Sequence, residues 1–126
     1  VNLRILIVDD DDALRVLYEK ELARAGYDVV TVDSAQAAVE TASEQSFALV
    51  ILDIEMPDLS GIDMLSQLRQ IEPDTPVILN TAYSTYKQDF QSWLADAYVM
   101  KSSDLEPLKR KIKELIDRRE NRRQQR

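Results

Sequence analysis

Asp9, Asp10, Asp53, Thr81 and Lys101 are the residues of this chain best suited to act together: three carboxylates, a hydroxyl and an amine, each standing where a short apolar run ends. Oxygen-only donors with room for water favour Mg2+ or Mn2+ over zinc. A hydroxyl and an ammonium beside such a cation suit a phosphoryl group, whose oxygens take charge-assisted hydrogen bonds. Taken singly, each residue has a plainer reading. Asp9 and Asp10 precede Asp11 and Asp12, either of which can cap a helix, and acids there interact favourably with the helix dipole. A threonine after a strand is an ordinary turn residue, and a lysine there an ordinary solvated charge. Their joint occurrence at successive strand ends is what points to a metal-assisted phosphoryl site.

Composition removes the competing chemistries. The 126 residues contain no cysteine and no histidine, which excludes disulfides, thiolate metal sites, thiol nucleophiles and a histidine base. Carboxylates must do any chemistry. With 44% hydrophobic and 31% charged residues, the chain suits one folded domain with a real core. No apolar run approaches the roughly 18 to 20 residues of a membrane span and no signal-peptide segment opens the chain, so a soluble cytoplasmic protein is expected. Val1 is not a methionine, which leaves room for a longer parent. The net charge of −7 is unevenly spread: residues 1–100 hold 18 acids and 6 bases, residues 101–126 hold 5 acids and 10 bases. An acidic body argues against direct nucleic-acid binding by the domain. The basic end, with Arg118, Arg119, Arg122, Arg123 and Arg126 among Gln, Asn and Glu, reads as a solvated helix end or linker, with a partner-binding tail as the alternative.

The elements that must position these residues follow from hydrophobic periodicity. Apolar, β-rich runs at Leu3–Val8, Val29–Val32, Leu49–Leu52, Val77–Leu79 and Ala97–Met100 alternate with amphipathic stretches, which predicts a (βα)5 chain. Strands as continuously apolar as the first and third are covered on both faces, hence a parallel sheet between helix layers. The first helix is predicted to start at Asp11 or Asp12, to run through Leu14, Leu17, Tyr18, Leu22 and Ala25, and to stop at Gly26. Further helices are predicted over 35–45, 62–71 and 86–94, the last burying Phe90, Trp93 and Leu94. The fifth begins near Leu105, with a core stripe of Leu108, Ile112, Leu115 and Ile116. All strand C-termini of a parallel sheet share one edge, and in the common order 2-1-3-4-5 the ligand crevice lies between strands one and three. Asp9 and Asp10 would then face Asp53, and three carboxylates so close need a cation.

The chain resembles the receiver domain of two-component response regulators, in the style of the single-domain chemotaxis regulators, over residues 3 to about 116. The resemblance rests on Val8-Asp9-Asp10-Asp11, on the segment from Asp53 through Glu55, Met56 and Pro57 to Gly61, on Thr81-Ala82, and on Tyr98-Val99-Met100-Lys101. It implies a flavodoxin-like, doubly wound α/β sheet, a receiver over residues 1–117, and a basic helix end or linker over 118–126. It further implies Asp53 as phosphoacceptor, with Mg2+ held by Asp9, Asp10, Asp53 and the Glu55 main-chain carbonyl. Thr81, the Ala82 N–H and Lys101 would bind the phosphoryl oxygens, and Thr81 and Tyr98 would form the switch.

By the same resemblance the protein is a signalling module and not an enzyme with turnover. It takes its phosphoryl group from a histidine kinase or histidine phosphotransfer protein and alters the surface of the fourth helix, fifth strand and fifth helix. That surface would meet an output protein, a fused effector domain or a second copy in a homodimer. Three departures from the family stand out. Ser102 follows Lys101 where a cis proline is usual, and a non-proline cis bond costs about 2.5–4 kcal/mol. Leu94-Ala95-Asp96-Ala97 replaces the usual Gly-Ala, and the stretch from Thr81 to Lys101 is a residue or two short. Glu55 and Tyr83 stand where the family tunes dephosphorylation. Two other readings follow from these residues: a phosphate-independent scaffold of receiver shape, and a Mg2+-dependent phosphatase, for which the chain has no cap insertion.

Overall fold

The computed structural model describes residues 3–53, 61–82 and 95–125. In chain order these form β1 (Arg4–Val8), α1 (Asp12–Arg24), β2 (Asp28–Val32), α2 (Ala35–Glu44), β3 (Leu49–Leu52), α3 (Gly61–Ile71), β4 (Val77–Thr81), β5 (Ala97–Met100) and α4 (Glu106–Gln124). The fifth predicted helix is therefore α4. The fourth predicted helix, with Phe90, Trp93 and Leu94, lies outside the described residues, as do Glu55 and Tyr83.

All five strands are parallel, in the order β2-β1-β3-β4-β5. This is the expected doubly wound sheet. Its central strands are buried on both faces because side chains alternate between two cores. Leu6, Val8, Val50, Leu52, Val77 and Leu79 face α2 and α3, where they meet Ala38, Met64, Leu65 and Leu68. Ile5, Ile7, Leu49, Ile51 and Ile78 face α1 and α4, where they meet Tyr18, Leu22, Leu108, Ile112 and Leu115. The stripe expected on the last helix is the one observed, extended by a buried Arg119.

The ends of α1 are set by local chemistry. Asp11 is the N-cap, its Oδ1 accepting from the Ala13 and Leu14 N–H groups at 3.0 and 3.2 Å. At the far end Gly26, at φ +98, follows the cap residue Ala25. Tyr27 N–H bonds Leu22 O and Gly26 N–H bonds Ala23 O, the Schellman pattern that left-handed backbone allows. The buried face of α1 is narrower than its periodicity suggests. Tyr18 and Leu22 are buried, but Leu17 stays 37% exposed and Ala25 is also exposed. Leu17 lies a 100° step from Tyr18, on the rim of the packed face.

Candidate functional site

Four of the five residues singled out at the start converge at the C-terminal edge of the sheet. Asp9 and Asp53 are the first residues beyond β1 and β3, and Lys101 the first beyond β5. Each is fixed by one more ladder bond past the strand end: Asp9 N–H to Val32 O at 3.2 Å, Asp53 N–H to Val8 O at 2.9 Å, and Lys101 N–H to Thr81 O at 2.7 Å. Lys101 Nζ lies 2.9 Å from Asp9 Oδ2 and 3.1 Å from Asp53 Oδ2. Asp10 completes the group, with one carboxylate oxygen from each of Asp9, Asp10 and Asp53 lying within 4.8 Å of the others. Asp9 and Asp53 are buried, whereas Asp10 is exposed to solvent at the mouth.

The electrostatics follow from that burial. Desolvation raises the Asp9 pKa above the usual carboxylate value, against the lowering effects of the Asp11 N–H and Lys101. Burial by itself would lower the Lys101 pKa, but its bonds to the Asp9 and Asp53 carboxylates outweigh this and raise it. One ammonium against three carboxylates leaves the cluster net negative. An all-oxygen, anionic, partly buried donor set of this kind fits a hard divalent cation such as Mg2+.

Thr81 and Tyr98 lie on the last two strands of the sheet. Thr81 ends β4, is buried, and by strand alternation shares the face of Val77 and Leu79. Tyr98, half-buried in β5, packs against that same core and is in register with Leu79. Ala82 follows Thr81 directly and is exposed.

Two of the sequence departures have structural answers. There is no cis peptide bond among the described residues, so Lys101 reaches both acids with a trans Lys101–Ser102 bond. Ser102 Oγ instead accepts from the Asp104 N–H at 3.1 Å. Asp96, in place of the usual small residue, accepts the Val77 N–H at 2.8 Å and pairs with Arg69 at 2.6 Å, joining the starts of β4 and β5 to α3.

Two residues near the site were not anticipated from sequence. Arg15 Nη1 donates to the Asp9 main-chain oxygen at 2.8 Å, tying the acid loop to α1. Asn80 Nδ2 donates to the Tyr18 hydroxyl at 2.8 Å. A polar residue inside an apolar strand was the available signal for Asn80; Arg15 gave none beyond its position in the first turns of α1.

Comparisons with known proteins agree with the fold. The family model described as the response regulator receiver domain matches residues 5–113. This chain belongs to that family. It is 31% identical over 125 residues to the alkaline phosphatase synthesis transcriptional regulatory protein PhoP of Bacillus subtilis, covering 95% of this chain and 51% of PhoP. It is also 31% identical to the transcriptional regulatory protein ZraR of Escherichia coli, covering 91% of this chain and 26% of ZraR. The chain thus spans about half of one relative and a quarter of the other. Among solved structures, the response regulator TrrA of Thermotoga maritima in complex with Mg(2+)-BeF superposes with a TM-score of 0.85 at 42% identity, covering 90% of this chain and 98% of TrrA. TrrA has also been crystallised with the histidine kinase ThkA. A CheY-like receiver from Methanospirillum hungatei gives a TM-score of 0.91 at 31% identity, covering 97% of this chain and 99% of that one.

Proposed function

We propose that this chain is a phosphorylation-switched receiver in which Asp53 accepts a phosphoryl group from a phosphohistidine of a histidine kinase or histidine phosphotransfer protein. The observation that carries this reading is the Lys101 ammonium seated between the Asp9 and Asp53 carboxylates, with Asp10 completing the acid group. An Asp53 carboxylate oxygen attacks phosphorus as the P–N bond to the imidazole breaks. The imidazole leaves with the bonding electrons and takes up a proton, and the product is an acyl phosphate. Asp9, Asp10, Asp53 and the Glu55 main-chain carbonyl would hold Mg2+ or Mn2+, which would supply charge neutralisation at the phosphoryl oxygens. Lys101 exchanges its contact with Asp53 for a phosphoryl oxygen, while Thr81 and the Ala82 N–H take the others.

The switch in this reading uses the last two strands of the sheet. Thr81 moves toward the phosphoryl group and Tyr98 follows, changing the surface formed by the fourth predicted helix, β5 and α4. The shared face of Thr81 and Tyr98 supports this. That surface engages an output protein, an attached effector domain or a second copy of the chain, without direct nucleic-acid contact by the domain. The kinase partner is supported by the ThkA complex of the 42% identical TrrA, and the metal by the Mg(2+)-BeF complex of the same protein. No helix among the described residues is long and apolar enough to cross a membrane, and the proposed location is the cytoplasm.

The test is intact-mass and phosphopeptide analysis after incubation with acetyl phosphate and Mg2+, followed by phosphotransfer profiling against the host's histidine kinases. Wild type should gain one phosphoryl group at Asp53, and Asp53→Asn should gain none. A wild-type chain left unmodified by acetyl phosphate and by every kinase would return the protein to a phosphate-independent scaffold.

A further inference from the structure

On the α1 side of the sheet, one strand over from Asp53, lies a polar contact that the proposed chemistry does not use. Asn80 precedes Thr81 in β4, and strand alternation gives it the face of Ile78, toward α1 and α4. Its register partner on β5 is Val99, which packs on that same face two residues before Lys101. Asn80 is 1% exposed, and its Nδ2 donates to the hydroxyl of Tyr18, also 1% exposed, across 62 residues of sequence. Oδ1, equally buried, meets no donor among the described residues. Turning the amide over changes only which atom is left over: one arm meets Tyr18 and the other meets no partner.

A half-satisfied buried amide is a net cost to stability, and an aliphatic residue of similar size would avoid it. Its position suggests what offsets that cost. Tyr18 belongs to the helix whose cap is Asp11 and whose Arg15 holds the Asp9 main chain. Asn80 belongs to the strand that ends in Thr81. The bond therefore joins the helix that follows Asp9 and Asp10 to the strand that ends in Thr81. Burial raises the Tyr18 pKa, the Asn80 bond lowers it, and the charges of Lys101, Asp9 and Asp53 reach its hydroxyl, which places it in the field of the site.

We infer that Tyr18 and Asn80 are positioning residues for the phosphoryl site: their buried bond sets the spacing between the acid loop and the Thr81 strand, at the expense of stability. This rests on the function proposed above. The decisive variant is Tyr18→Phe/Asn80→Leu, which replaces both polar partners by apolar groups of similar shape and leaves no unpaired atom. Tyr18→Phe alone, which keeps the ring in place, is the companion variant.

The double variant should unfold at the same temperature as wild type or higher. Its Mg2+ affinity, measured by titration calorimetry on the unphosphorylated chain, should fall several-fold. Its rate of Asp53 modification by acetyl phosphate at saturating Mg2+ should fall on the order of tenfold, since small misplacements of reacting groups cost up to about a hundredfold. In the wild type, the Asn80 side-chain amide resonances should shift during the Mg2+ titration with the calorimetric midpoint. A double variant that matches wild type in Mg2+ affinity and rate overturns the inference, as does one that loses only thermal stability. If wild type itself is never modified on Asp53, the functional reading fails separately, and the Mg2+ affinities of the two proteins still decide this inference.

Discussion

Replacing Lys101 by methionine removes the only cation within salt-bridge reach of Asp9 and Asp53 among the described residues, while keeping an unbranched side chain of similar length. Its Nζ sits 2.9 and 3.1 Å from the two carboxylates, whose side chains are 2% and 6% exposed. At an effective dielectric near 20, each contact is worth about 5 to 6 kcal/mol of Coulomb energy, most of it offset by the desolvation of the charges. Removing one partner of a buried pair costs about 3–5 kcal/mol. The pocket opens to solvent at Asp10, so the lower end applies, about 3 kcal/mol in metal-free buffer. For a domain of this size that is a fall of roughly 10 °C in the unfolding midpoint. Urea unfolding in a chelator measures it. Mg2+ should then stabilise Lys101→Met more than wild type, because a divalent cation replaces the lost charge and no longer competes with the ammonium for Asp9 and Asp53. A variant as stable as wild type in chelator, or equal gains from Mg2+ in both proteins, would refute this account of the site.

Asp9→Asn should raise metal-free stability by about 1 kcal/mol, since burial disfavours the Asp9 carboxylate, yet the variant should gain little from Mg2+ in a thermal scan. The amide oxygen can still accept the Asp11 N–H at 2.9 Å, and Lys101 keeps Asp53. Asp96→Ala removes both the Arg69 pair and the acceptor of the Val77 N–H, and should cost about 1–3 kcal/mol in urea unfolding without changing Mg2+ affinity. Asp11→Ala leaves the first N–H groups of α1 uncapped, and should cost about 1 kcal/mol by the same measurement.

The difference between what was legible and what was not follows the range of the interactions. The first cap was readable because Asp11 bonds N–H groups only two and three residues ahead. The strands and their edge were readable because β1 and β3 are apolar on both faces, which a parallel sheet between two helix layers requires. Leu17 sits at the rim of the packed face, which the sequence left open because helical periodicity gives the direction of a face and not its width. Asp96 stood out only as part of the segment that replaces the usual Gly-Ala, and becomes intelligible when Arg69 and the Val77 N–H are brought to it from 27 and 19 residues away.

By itself the sequence determined which residue types end each strand, and hence that three acids and a lysine would share one edge, because a parallel sheet aligns all its C-termini. Tertiary structure decided how they meet. Lys101 lies between Asp9 and Asp53 with a trans peptide after it, Tyr98 packs against the α2 and α3 core, and Asn80 reaches Tyr18 on α1. Contacts across the strands, and which helix each face meets, are set by register and packing between distant segments, and local sequence carries neither distance nor partner for them.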